Sequence, residues 1–209
     1  MKKMILLWWL TIPHILAYLF SGNKDYHNVD IERWTTCRGR GRHGQSEKHN
    51  GGNTLKLVLG LIWLLLNVPE YRNVFYLRFN YLKYLMMYLK PYSTLYICTP
   101  SKEFGPGVFI QHGFATVITA EHVGRNCWIN QQVTIGYNDS KKYGYGKPWI
   151  GDNVRVSAGA KVVGKVKIGD GSTIGVNAVV VKDVAPNSTV VPSPMMLIRE
   201  NGEKVYKQL

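Results

Sequence analysis

Apolar positions keep two different rhythms along the 209-residue chain, and the change falls near residue 100. Before it, apolar runs at 4–20, 55–68 and 71–90 have helical length, the last stopping at Pro91. Residues 1–99 therefore read as a helical N-terminal region. Between the first two runs, the Gly-rich polar stretch with Arg38, Arg40 and Arg42 has too few apolar side chains to bury, and reads as a flexible basic loop near 37–53.

After residue 100 the rhythm is sixfold. Val117, Val123, Ile129 and Ile135 are six apart, and the series resumes at Ile150, Val156, Val162, Ile168, Ile174 and Val180. Small or β-branched residues stand two positions earlier, at Ala115, Cys127, Val133, Val154, Ala160, Val166, Ser172 and Ala178. Gly follows directly at Gly124, Gly136, Gly151, Gly169 and Gly175. This is the spacing of a hexapeptide parallel β-helix. Each unit supplies a short strand and a turn, three units close a triangular coil, and stacked coils form aliphatic ladders inside. Asn126, Asn153, Gly171 and Asn177 suit the corners. The coil is expected over 100–192, with its ladder ending near Pro186 because proline cannot donate to it, and a tail over 193–209.

The phase breaks between Ile135 and Ile150, where 15 residues replace six and leave nine extra. A polar, Gly-rich loop over 136–149 leaves the coil there. A loop on a rigid coil is well suited to closing over a ligand, although surface loops also tolerate insertion without any role.

These residues resemble the hexapeptide-repeat acyltransferases, within them the serine acetyltransferase branch and its relatives in surface-polysaccharide synthesis. The stretch Gly105-Pro106-Gly107-Val108-Phe109-Ile110-Gln111-His112-Gly113-Phe114 is similar to that branch's glycine-aliphatic-aspartate-histidine stretch. Ser157-Ala158-Gly159-Ala160-Lys161-Val162-Val163-Gly164 resembles its cofactor-side coil, and Gly175-Val176-Asn177-Ala178-Val179-Val180 the coil after it. The likeness covers about residues 100–195; the helices before match only in kind.

The resemblance implies an α+β protein: N-terminal helices, then a left-handed parallel β-helix that trimerises and moves an acetyl group from acetyl-CoA to a hydroxyl. It implies His112 as general base, a role that suits neutral imidazole. Ala158, Gly159, Gly175, Val176 and Lys182 fall in the places that meet CoA, with Lys161 and Lys165 as further cations. Gln111, Lys147, Gly136 and Tyr137 fall around the acceptor. Departures from the pattern are as informative. Gln111 replaces the aspartate before the histidine, Ile97 stands at a second aspartate, and Gly146-Lys147 stand where the branch has arginine and histidine. Glu103, Glu121 or a backbone carbonyl remain to orient His112. The acceptor stays open between serine and a cell-surface sugar, and the runner-up is a non-catalytic β-helix that binds an anionic partner.

Composition adds modestly to this. Lys+Arg 26 against Asp+Glu 13 gives +13, split as 13 minus 5 up to Thr99 and 13 minus 8 after it, which favours anionic partners without choosing one. Nucleic acid is not expected, although the Arg run at 38–42 would be its footprint. Cys37, Cys98 and Cys127 show no CxxC spacing and read as free thiols of a reducing, cytoplasmic setting. Two coil histidines, His112 and His122, fall short of a zinc set, so no metal is expected; His122 is expected at a surface or interface. The run at 4–20, interrupted by Pro13 and His14, is short for a membrane span and reads as a buried or interfacial helix. Trp8, Trp9, Trp63 and many Tyr beside Lys and Arg suit a membrane-surface contact, or the packing of the trimer.

Overall fold

The computed structural model describes residues 7–38, 53–79, 81–139 and 145–193 in full, and the backbone of 196–200 and 203–208. Residues 39–52, most of the expected basic loop, and 140–144 of the inserted loop lie outside that set.

Among the described residues five α-helices precede the coil: α1 (Ile12–Leu19), α2 (Lys24–Arg38), α3 (Thr54–Asn67), α4 (Pro69–Leu77) and α5 (Lys83–Met86). Pro13 does not break the first run. It sits in the first turn of α1, where its missing N–H is no loss, and a 3₁₀ turn at Trp8–Thr11 leads into it. The side chain of Asn53 caps α3 by accepting from the Leu55 N–H at 3.0 Å. Val68 and Pro69 then turn the chain by 117° into α4. The helices close on Tyr18, Trp34, Leu61, Leu64, Tyr71 and Phe75, all essentially buried. Among the described residues no single helix is long and apolar enough to cross a membrane.

The coil is a three-faced prism of parallel strands. Its first face carries Leu95–Ile97, Thr116–Ile118, Thr134–Gly136, Lys161–Val163 and Val179–Val180. The second carries His122–Val123, Trp149–Ile150 and Lys167–Ile168, extended by bridges from Phe104 to Val123 and from Ile168 to Val184. The third carries Phe109–Ile110, Trp128–Ile129, Arg155–Val156, Thr173–Ile174 and Thr189–Val190. Inward side chains stack in register, so that Ile118 lies on Ile135 and Ile129 on Val156. Cys127 is buried in this interior, and burial pushes its thiol up to about 12.

Two details differ from the sixfold reading. Ile118, fully buried, takes the inward place, and Val117 lies on the outer face. The corner before it is two residues longer than in later turns, eight from Ile110 to Ile118 instead of six, and the next is one shorter, five from Ile118 to Val123, so the phase shifts by one residue overall. The ladder also continues past Pro186, since Thr189–Val190 pair with Thr173–Ile174. Pro186 occupies a corner, next to Asn187 at φ 56°, where a strand hydrogen bond is not required of it.

A buried ion pair fastens the helices to the first turn. Arg78 at the end of α4 donates through Nε to Asp30 Oδ2 of α2 at 3.2 Å, and its other nitrogens donate to the carbonyls of Ser101, Phe104 and Gly105. Asp30 Oδ1 accepts from the Gly107 N–H at 2.7 Å. Burial raises the Asp30 carboxyl above its ordinary value against the opposing pull of Arg78 and that N–H. Trp34 Nε1 adds a bond to the Val108 carbonyl at 2.9 Å.

Candidate active site

The long corner that displaces Val117 is the one that carries His112. Between Ile110 of the third face and Thr116 of the first, the chain takes left-handed backbone at His112 (φ 54°) and again at Ala115 (φ 48°). A β-carbonless residue would adopt these angles freely; histidine and alanine do so only where the surroundings impose it. Beneath the corner, a Cβ on Gly113 would meet Leu95 at 3.0 Å and Glu70 at 3.3 Å, so glycine permits the close seat on the helices. The result is an exposed imidazole held on a buried base.

The ring of His112 does not meet Glu103 or Glu121. Its Nε2 lies 3.4 Å from Gln111 Nε2. The Gln111 carbonyl oxygen accepts from Trp128 Nε1 at 3.1 Å and from Asn130 Nδ2 at 3.4 Å. Because both of those groups are donors there, the Gln111 amide is turned with its nitrogen toward the imidazole. An amide nitrogen can only donate, so this contact is a hydrogen bond in the tautomer whose Nε2 carries a lone pair. Glu103 is engaged elsewhere, 3.2 Å from His122 Nδ1 on the second face, where His122 also stacks on Trp149 at 4.2 Å.

Successive turns continue this edge. The Gln132 N–H donates to the Phe114 carbonyl at 2.8 Å, Gly159 N–H to Gln131 at 3.1 Å, and Asn177 N–H to Ala158 at 2.9 Å. Gln111 and His112 thus head a column that descends to Ala158, Gly159, Gly175 and Val176. At Gly159 (φ 73°) a Cβ would stand 1.9 Å from Asn177 Oδ1, which only glycine avoids. Lys161 belongs to the same edge, donating to the Gln132 carbonyl.

The remaining candidates do not join this column within one chain. Gly136, Tyr137 and Lys147 lie on the next edge of the prism, across the first face, where the inserted loop departs. Asn138 and Gly146 close that loop with reciprocal backbone bonds of 3.2 Å, and Lys147 stays exposed. Lys165 and Lys182 follow first-face strands and lie on the loop edge too. The motif reading did not single out Trp128, Asn130 or the arginines Arg33 and Arg155, whose guanidinium carbons lie 5.7 and 4.8 Å from the Trp128 ring. Trp128 stands one residue before an inward Ile129, between Phe109 and Arg155 in the same outward column. Counting rungs face by face would have placed it beside Gln111. Among the described residues no group of three or more His, Cys, Asp or Glu could hold a metal ion.

The family model described as bacterial transferase hexapeptide (six repeats) matches residues 147–182. The chain is 41% identical to the serine acetyltransferase of Staphylococcus aureus (strain Mu50) over 109 residues, 52% of this chain and 51% of that one. It is 37% identical to the serine acetyltransferase of Bacillus subtilis (strain 168) over 134 residues, 63% of this chain and 61% of the other. It thus spans about half the length of the curated relatives that it matches. Among solved structures, the Neisseria gonorrhoeae serine acetyltransferase in complex with serine superposes with a TM-score of 0.55 at 24% identity, covering 82% of this chain and 67% of that one. A serine acetyltransferase in complex with CoA gives 0.53 at 18% identity, covering 90% and 71%. At these identities the superpositions speak for the fold. Coil, repeat and sequence likeness agree: this chain carries a hexapeptide-repeat coil, similar in sequence and fold to those of serine acetyltransferases.

Proposed function

We propose that the protein is an acetyl-CoA-dependent O-acetyltransferase in which His112 is the general base. The observation that carries this reading is the placement of His112: exposed, on left-handed backbone, at the head of the edge that continues through Ala158, Gly159, Gly175 and Val176. In the reaction, Nε2 of His112 takes the proton of the acceptor hydroxyl as its oxygen attacks the thioester carbonyl. The tetrahedral intermediate then collapses, the C–S bond breaks and CoA leaves as the thiol. The contact from Gln111 fits this role, since it is compatible with a lone pair on Nε2 and is long enough at 3.4 Å to yield to the hydroxyl. A positioned base of this kind is worth roughly 10²–10⁴ in rate.

Serine and a sugar hydroxyl are the two acceptors in view. Likeness to serine acetyltransferases supports serine. Gln111 in place of an acid and Lys147 in place of the loop histidine support the sugar, because a lone ammonium lacks the two-pronged grip of arginine on a carboxylate. In a left-handed threefold assembly the loop edge of one copy would close over the His112 edge of its neighbour, bringing Gly136, Tyr137, Lys147 and Lys182 to the acetyl-CoA groove.

The test is release of CoA thiol from acetyl-CoA with L-serine and with a panel of sugars and nucleotide sugars, beside His112→Ala. Turnover that falls at least about 100-fold in the variant is the expected result. Turnover that survives it refutes the role of His112, and failure of the wild-type protein to bind CoA refutes the transferase in favour of a binding coil.

A further inference from the structure

The helical half leaves a broad apolar surface uncovered. Trp8, Trp9, Leu16 and Phe20 are exposed on and around α1, while Thr11, His14, Ala17 and Tyr18 of the same segment are buried. Tyr84 and Leu85 of α5 are exposed beside them, Leu85 by 74%. Three contacts make one surface of these pieces. The Tyr88 hydroxyl donates to the Leu10 carbonyl, His14 meets the Tyr88 ring edge-on at 5.5 Å, and the Trp8–Thr11 turn packs on α3. Leu55 is exposed at the start of α3, the helix on which that turn packs.

Its charge is one-sided. Residues 1–24 contain no Asp or Glu, and between residues 48 and 102 the sole acid is Glu70, which is buried and paired with Arg38 at 3.2 Å. Among the described residues the cations around the patch are Lys24, Lys56, Lys83 and Lys90, with Asp25 the exposed acid near them. The ammonium groups of Lys24 and Lys83 lie 5.7 and 5.4 Å from the ring centres of Tyr18 and Tyr84.

We propose that this surface docks onto an anionic lipid bilayer. Two alternatives fit less well. A second copy in a twofold contact would set these four lysines against the same four with only Asp25 among the exposed acids nearby to pair them, because such an interface opposes a patch to itself. Among the described residues no single helix is long and apolar enough to span, and α3 and α4, which reach that length only together, are bent by 117°. A bilayer interface satisfies both halves of the patch: indole and phenol rings settle at headgroup depth, and lipid phosphates meet the lysine rim. Each lysine near such a surface contributes about five-fold in partition.

The experiment floats the full-length protein with vesicles of phosphatidylcholine alone and of phosphatidylcholine with phosphatidylglycerol, while sedimentation gives the particle mass without lipid. The expected result is co-flotation with the anionic vesicles, roughly 25-fold weaker in Lys56→Gln/Lys90→Gln and lost in Trp9→Ser/Leu85→Ser, with particle mass unchanged in both. Both lysines are exposed, so the first variant keeps its melting curve; if the second does not, Leu85→Ser alone replaces it. No co-flotation, or co-flotation indifferent to lipid charge and to the lysines, overturns the proposal. A fall in particle mass in the variants also overturns it, and assigns the patch to a second copy.

Discussion

Removal of Asp30 should detach the helices from the coil at a cost that the structure allows to be worked out. The side chains of Asp30 and Arg78 are 2% and 1% exposed, so no water replaces a lost carboxylate, and arginine cannot shed its proton to escape. In Asp30→Ala the guanidinium keeps its backbone carbonyls but loses its counter-charge, and the Gly107 N–H loses its acceptor. Breaking one side of a buried pair costs about 3–5 kcal/mol. For a chain of this size that is a fall of roughly 6–20 °C in Tm, at 2–4 °C per kcal/mol. Thermal and urea unfolding followed by circular dichroism, at one fixed protein concentration, measure it. The double variant Asp30→Leu/Arg78→Met removes the stranded charge and should recover more than half of the loss. A loss below about 1 kcal/mol, against the several expected for a stranded buried charge, or a double variant no better than the single one, would refute the reasoning.

Two further outcomes follow from burial. Ile118→Ala should cost about 2–5 kcal/mol in urea unfolding and Val117→Ala less than about 1; the reverse order would restore the uniform sixfold phase. His14 and His27 are buried and held at about 4 by desolvation, below the unfolded value near 6.5. Between those values the unfolded chain binds protons that the folded chain does not, so stability falls as pH drops from about 6.5 to about 4, by up to about 1.4 kcal/mol per pH unit for each histidine. Among the described residues His27 has no hydrogen-bond partner for either ring nitrogen, and it stacks on Phe79 at 5.0 Å. His27→Phe should therefore be less acid-sensitive in that window, and a constant difference in Tm between the two proteins from pH 6.5 to 4 would contradict this.

The helical and coiled halves, the repeat and the departure point of the loop were all legible in the chain, because each is written in local periodicity. Six-residue spacing forces one inward side chain per strand wherever the corners are uniform. Spacing failed at Val117 because the corner before it is not uniform, and left-handed backbone at His112 and Ala115 cannot be read from a count. The proline rule failed at Pro186 because a residue's place in the ladder, at a corner or in a strand, is set by the turns above it.

For the site, likeness of motif was enough to single out His112 and the small residues at Ala158, Gly159, Gly175 and Val176. It could not show that these share one edge, that Gly136, Tyr137 and Lys147 lie on another, or that Glu103 is taken by His122. Nor could it supply the Trp128–Gln111–His112 contacts, whose members come from different turns of the coil. The sequence by itself determined which side chains point inward along most of the coil, since that is a property of neighbours in the chain. Only the tertiary structure decided which groups meet the imidazole and which apolar faces of the helices stay uncovered, because both depend on how separate turns and helices stack in space.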